Sequence, residues 1–405
     1  WLEECYEHHK DCQIERHTGD RLPTRVIDVA TSDINGMPCP RLVDGKGRSE
    51  KFAALSYCWG GESILTLNAQ TEAELRAGLP MEQFPPTLRD AIIVTQHLRL
   101  KYLWIDAVCI KQDSAEDWNI EATKMRDIYK GAIVTIAAAA ASKSSDGIFR
   151  HRTVGRTLCK LPWLNGESPC PTVSLRSGSE IRQDPARSSL IHTRAWTLQE
   201  TLLAPRTLYL GSHIITFECS QGQIDESGRS TKGMAIRAFS HYGLETFQTF
   251  LTGYTFFTQG LVTTPGGLSM TYYDLWREII TQYSKRHLTK VSDTLPALAG
   301  LANDFNHVTG DKYFAGLWMG DIIRSLCWMT FPGGNSAKNT RHVNEYLAPS
   351  WSWASVYGLP LGFYGHESTE DSGFKPLAEV IGIRAAPAGQ DPFGRVVDGE
   401  LVLRA

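Results

Sequence analysis

The sequence predicts an α/β fold: an open, mostly parallel sheet with flanking helices, elaborated by a mixed α+β C-terminal part. Three observations carry that prediction. The segments Lys51–Gly60, Tyr102–Ile110 and Ala132–Ala139 are apolar almost throughout instead of alternating, as strands covered on both faces are. The stretches between them repeat apolar residues at helical spacing. Their order over residues 50–141, β-α-β-α-β, is that of right-handed crossovers in an open sheet.

Residues 1–50 read as a lead-in: a short helical pattern, a strand-like Pro23–Val29 and a Gly/Asp/Lys-rich turn at Asp44–Arg48. The run Lys51–Gly60 halts at Gly60-Gly61, where a loop needing unusual backbone angles is expected. From Pro86 onward Leu88, Ala91, Ile92, Thr95 and Leu98 fall on one face of an amphipathic helix. Tyr102–Ile110 reads as the central parallel strand, with Asp106 its single charge. Asp113 and Glu116 resemble an N-cap and its reciprocal partner, opening a helix whose stripe is Trp118, Ala122, Met125 and Tyr129, flanked by Glu121. Ala132–Ala139 is the third buried strand. Ligands of such sheets gather at the carboxyl strand ends.

Beyond it lie a Ser/Lys/Asp loop at 142–146, a Pro- and Gly-punctuated segment at 147–193, and a helical stretch opening at Arg194. Strands resume at Arg206–Leu210 and Ile214–Cys219. Variable insertions are expected in 223–270, helices at Thr271–Arg286 and Asp311–Trp328, and a Gly/Pro-broken end finishing in Glu400–Arg404. Trp351 and Trp353 alternate with period two, which predicts both rings on one side of a strand. No repeat of 20–50 residues suggests a solenoid.

A length of 405 residues suits two or three packing units. The division expected is a lead-in at 1–50, an α/β core at 51–220 and an α+β extension at 221–405. Hydrophobic residues at 42% and charged ones at 21% are enough for a large core. A net charge of -3, from 41 basic and 44 acidic residues, gives no electrostatic footprint for nucleic acid or an acidic membrane, so neither is an expected partner. There is no apolar run of membrane-spanning length and no secretory signal pattern at the first residues, so a cytoplasmic location is the default. The missing initiator Met suggests numbering that begins inside a longer chain.

The nine cysteines follow no framework spacing and read as reduced thiols. In Cys5-x-x-His8-His9-x-x-Cys12, both cysteines and a His could face one way and bind zinc. No second Cys/His pair stands at finger spacing, so a half-buried amphipathic helix without metal is the expectation.

Several of these segments coincide with one family. The chain resembles the heterokaryon-incompatibility (HET) proteins of filamentous fungi in Ala54-Leu-Ser-Tyr-Cys-Trp-Gly60, Arg89-Asp-Ala-Ile, and Tyr102-Leu-Trp-Ile-Asp-Ala-Val-Cys-Ile-x-Gln-Asp113. Further likeness lies in Met125-x-x-Ile-Tyr129, Thr135-Ile-Ala-Ala, Arg194-Ala-Trp-Thr-Leu-Gln-Glu200 and the blocks at Asp293, Tyr313 and Pro349. The resemblance implies self/non-self recognition and programmed cell death after hyphal fusion, with a core distantly similar to the Toll/interleukin-receptor (TIR) fold, many members of which cleave NAD. Stand-alone members in metabolic gene clusters imply the alternative of a secondary-metabolism enzyme. A non-catalytic module acting by self-association is the third reading.

For NAD cleavage a carboxylate must stabilise an oxocarbenium-like centre. Glu121 is one candidate, at a helix that follows a strand end; its bland alternative is a surface pair with Lys124. Asp106, a lone carboxylate in an apolar run, needs a partner: an arginine such as Arg89 or Arg194 that locks the sheet, or a ligand. Cys58 and Cys109 stand near strand ends, where a thiolate with His97 or His192 would be a nucleophile, although buried cysteines more often act as small hydrophobes. Arg194, Gln199 and Glu200 form a polar patch with Trp196, either lining a cleft or bridging two units. The expected catalytic set is therefore Glu121, Asp106, Cys109 and Glu200, and the ligand-binding set Tyr57, Trp59, Gly60, Gln112, Arg194, Trp196 and Gln199. A small-molecule or nucleotide substrate is expected. No phosphate loop or Gly-x-Gly-x-x-Gly follows a strand, and no cofactor is expected, NAD entering as substrate.

Overall fold

The structure, a computed structural model, describes residues 1–9, 12, 21–61, 65–150, 157–162, 172–176, 189–228, 230, 261–263, 269–331, 345–363 and 375–405. Eight strands form the main sheet: β1 Arg25–Asp28, β2 Arg41–Asp44, β3 Phe52–Ser56, β4 Tyr102–Trp104, β5 Val134–Ala137, β6 Arg206–Leu210, β7 Ile215–Cys219 and β8 Gly222–Asp225. They lie in the order β8-β7-β6-β5-β3-β4-β1-β2. The four central strands β4-β3-β5-β6 are parallel. The outer pairs, β1 with β2 and β4, and β7 with β6 and β8, are antiparallel. The sheet is thus α/β but mixed, not mostly parallel, because short turns join β6, β7 and β8 and such turns build only antiparallel pairs.

Every residue of β3, β4 and β5 is buried, as their unbroken apolar runs require. Among the described residues the helices include α1 Leu2–His8, α2 Glu72–Ala77, α3 Pro86–His97, α4 Asp106–Cys109, α5 Ala115–Gly131, α6 Trp196–Leu203, α7 Tyr272–Tyr283 and α8 Pro296–Thr309. Helix α3 joins β3 to β4 and α5 joins β4 to β5. The chain moves in opposite directions along the sheet in these two steps, so right-handed crossovers put α3 and α5 on opposite faces.

Four expectations are corrected. Tyr102–Ile110 is not one strand: it pairs only as far as Trp104, and the amides of Val108 and Cys109 then bond back to the Ile105 carbonyl, making the single turn α4. Arg25 Nε satisfies the Cys109 carbonyl at 2.7 Å. The cap of α5 is Ser114, whose hydroxyl accepts the Asp117 amide at 3.2 Å, while Asp113 instead accepts the Ala69 amide. No helix spans Asp311–Trp328, which holds a hairpin at 313–318 and a single helical turn, Ile322–Ser325. The long helix lies before it: α8 starts with Pro296 in its first turn and stops at Gly310 in a left-handed conformation (φ 67°). Trp353 belongs to a 3-10 turn, Trp353–Ser355, not a strand; it is buried with Nε1 donating to the Gly316 carbonyl, whereas Trp351 is half-buried.

The insertions expected in 223–270 fall largely outside the described residues. One continuous apolar cluster runs from Cys5 to Val396 and joins sheet, helices and C-terminal part.

Candidate active site at the carboxyl ends of the parallel strands

From β3 the chain turns to one side, to β4, and from β5 it turns to the other, to β6, so the loops leaving β3 and β5 diverge. The order β4-β3-β5-β6 is that of a flavodoxin-like doubly wound sheet, whose switch point opens a crevice there. The loop after β3 is pinned at Gly60 (φ +91°): a Cβ on this residue would lie 2.1 Å from the Lys143 Cβ, so only glycine lets the loop press on the segment after β5. The Trp59 carbonyl accepts the Ser144 amide at 3.2 Å, and its indole N–H points at Asp106.

Asp106 begins α4 at the carboxyl end of β4. Its Oδ2 accepts Trp59 Nε1 at 2.9 Å and its Oδ1 the Ala107 amide at 2.7 Å. Gln112 braces the turn from below, donating to the carbonyls of Asp106 (3.2 Å) and Ile110 (3.0 Å). The carboxylate is half-buried, and burial pushes its pKa above the usual range although Arg194 and the two hydrogen bonds pull the other way.

Glu200 reaches the same place from α6. The Ser56 hydroxyl donates to its Oε2, and Tyr129 also hydrogen-bonds it. Burial drives its pKa up to about 7, against the opposing pull of Arg194 and Ser56. Arg194 lies in the field of both carboxylates. Burial lowers its pKa, but Glu200 and Asp106 outweigh that and hold it above its ordinary value. Its Nη1 donates to the Tyr57 carbonyl, and among the described residues it forms no ion pair with either carboxylate. The Tyr57 side chain is buried in the field of Asp106, Arg194 and Glu200, and its hydroxyl has no hydrogen-bond partner. A buried hydroxyl without a partner calls for an explanation, and a polar ligand reaching the neighbouring Arg194 guanidinium would supply one.

The fold therefore unites Tyr57, Trp59, Gly60, Asp106, Gln112, Arg194 and Glu200. It adds Ser56 and Tyr129, which the sequence reading passed over as parts of a strand and a core stripe. It also adds Arg286, whose Nη1 donates to Thr197 Oγ1 (3.0 Å) and the Arg194 carbonyl (3.3 Å). A polar residue such as Ser56 within an apolar run was the available signal; Arg286 had none.

Other candidates are engaged elsewhere. Glu121 is buried, not surface-exposed, and pairs with Lys124 at 2.8 Å, which also donates to Thr24. Trp196 Nε1 donates to Asp293 at 3.4 Å and its ring meets Trp118 edge-on at 6.2 Å. Gln199 Oε1 accepts the Gly300 amide of α8 at 3.3 Å. Both fasten the C-terminal part. Cys109 is fully buried with its thiol pushed up to about 12 by burial, and burial likewise raises Cys58, so neither supplies a thiolate at neutral pH. His192 is no base for them: burial and the Arg286 charge lower it to about 3. A separate cavity of about 360 Å³, lined by Val29, Thr31, Gln96 and Lys101, opens at the amino end of β4, away from this cluster.

Fold and site together define a doubly wound α/β protein with an acid–base cluster at its switch point. Residues 52–200 match the family model described as heterokaryon incompatibility protein (HET). That span, over which the chain is similar to the HET family, begins with β3, ends at Glu200 and contains Ser56, Tyr57, Trp59, Asp106, Tyr129 and Arg194. No curated protein and no solved structure matches the chain.

Proposed function

We propose that this protein is a heterokaryon-incompatibility effector of a filamentous fungus, acting in the cytoplasm in self/non-self recognition and cell death, and that its TIR-like HET core hydrolyses NAD or a related nucleotide. The observation that supports this reading is the gathering of Asp106, Arg194, Glu200 and the unpartnered Tyr57 hydroxyl at the switch point. Asp106, Arg194 and Glu200 each have a task in breaking a ribose–nicotinamide bond. The partly exposed Asp106 carboxylate stabilises positive charge developing at the ribose. Arg194 offers guanidinium donors to a phosphate oxygen. Water attacks the anomeric carbon, nicotinamide leaves with the bonding electron pair, and the water proton passes to Asp106 or solvent. Glu200, with a pKa of about 7, sets how much of the Arg194 charge is left for the ligand.

The test is to incubate the purified full chain with NAD and follow nicotinamide release by chromatography. The parent protein releases nicotinamide, and Asp106→Asn lowers the rate by roughly a hundredfold or more, the scale of losing one transition-state charge contact. Glu121→Gln leaves the rate at the parent level. Absence of release from monomer and from any self-associated form would sink the proposal.

A further inference from the structure

The second chemical cluster lies at the far side of the sheet from the strand-end site. Cys5 from α1, His9 and Cys12 just beyond it, and Cys219 at the end of β7 place their ligand atoms within 4.8 Å of one another. Cys219 is supplied 210 residues along the chain from His9, which is why no finger spacing revealed it. The three thiols are buried, at 0%, 2% and 4% exposure, and His9 closes the group from the solvent side.

We propose that Cys5, His9, Cys12 and Cys219 bind one zinc ion as a closed Cys3His site that fastens the N-terminal helix to the sheet. Tetrahedral zinc with Zn–S near 2.3 Å and Zn–N near 2.1 Å needs ligand-to-ligand edges of roughly 3.6–3.8 Å. The 3.4 Å from His9 Nδ1 to Cys219 Sγ is close to such an edge, and the 4.8 Å outer limit is closed by small side-chain rotations. Three thiolates and an imidazole select a soft or borderline ion over magnesium or calcium. Four protein ligands leave no open position, so the site is structural, not hydrolytic.

The surroundings suit the charge. Three thiolates and one divalent ion sum to one negative charge, and the Arg206 guanidinium stands beside them. Its Nε is 3.2 Å from Cys5 Sγ, and its Nη2 donates to the Cys12 carbonyl at 2.6 Å. Arg206 is 4% exposed and belongs to β6, so the group that balances the site is held by the sheet itself.

The experiment measures metal in the full chain, purified under reducing conditions without chelator, by plasma mass spectrometry. About one zinc per chain is expected, matching four ligands to one tetrahedral ion. Replacement by cobalt should give tetrahedral d–d bands with thiolate charge transfer. Cys219→Ser and Cys12→Ser should lose the bound metal. If these variants fail to fold, His9→Ala answers instead, since His9 is only partly buried; it should bind zinc at least tenfold more weakly. His8→Ala, at an exposed neighbour paired with Glu4, should bind zinc as the parent does. Metal-free parent protein with no cobalt spectrum, or an intact mass showing these cysteines as disulfides, overturns the site. So does equal weakening by His8→Ala and His9→Ala.

Discussion

Glu200 is 3% exposed, and burial moves its ionisation to near neutrality, which has a sign that can be checked. In the unfolded chain its carboxyl titrates near the ordinary value of about 4.3. Burial raises it to about 7 in the folded protein, so between these values the native state binds more protons than the unfolded one. Stability from this residue is therefore fully present below the unfolded value and falls as pH rises toward the folded one. The difference amounts to on the order of 3 kcal/mol at pH 8, reduced where Arg194 relaxes around it. Glu200→Gln keeps a partner for Ser56 without the charge and should raise Tm at pH 8 much more than at pH 5. Thermal melts of both proteins at both pH values decide this; an equal change at the two would contradict it. Under the proposed function, ligand binding should also weaken as pH rises through about 7 in the parent but not in Glu200→Gln.

Among the elements, the seam between α5 and α8 carries a concentrated charge arrangement. Arg126 and Lys130, one turn apart on α5, both reach Asp304 of α8, which is 3% exposed while the cations are 21% and 17% exposed. Asp304→Ala leaves Lys130 without its carboxylate and Arg126 with only the exposed Asp127, and a loss of about 3 kcal/mol in urea unfolding is expected. A loss below about 1 kcal/mol would place the pair with ordinary surface bridges. This seam was not legible in the sequence, because α8 is rich in Ala and Leu without a clean stripe, and its partner cations lie 178 and 174 residues away. The buried strands β3 and β5 and the helices α3 and α5 were legible, since their signals are local runs and periods. The end of β4 was not: an apolar run looks the same in a strand and in the single turn α4. At the site, Asp106 announced its need of a partner by being the lone charge in such a run. That the partner is the Trp59 indole and a backbone amide, not Arg89 or Arg194 in an ion pair, depends on a loop geometry fixed by Gly60, which leaves no spacing pattern.

At the scale of the whole molecule, the C-terminal part completes the strand-end site as well as covering the core. The backbone around Arg194 is clamped from the segment just after α7: the Ala195 amide donates to the His287 carbonyl at 2.9 Å, and the His287 amide to the Thr193 carbonyl at 2.6 Å. Arg286 adds its bonds to Thr197 and the Arg194 carbonyl. Helix α6, which carries Glu200, buries Leu198, Leu202 and Leu203 in the same apolar cluster that holds Leu298, Leu301 and Phe305 of α8. Since that cluster is continuous from Cys5 to Val396, the described parts should unfold as one unit. Denaturant unfolding followed by tryptophan fluorescence and by far-UV circular dichroism should give coincident transitions. A chain ending after residue 228 would expose the α6 leucines and release the Arg194 segment, so it should bind a hydrophobic dye strongly and lack fixed near-UV dichroism. Separated transitions in the full chain, or a soluble fragment with native-like near-UV dichroism, would mean that the α/β part folds alone and that the clamp from Arg286 and His287 is dispensable for it.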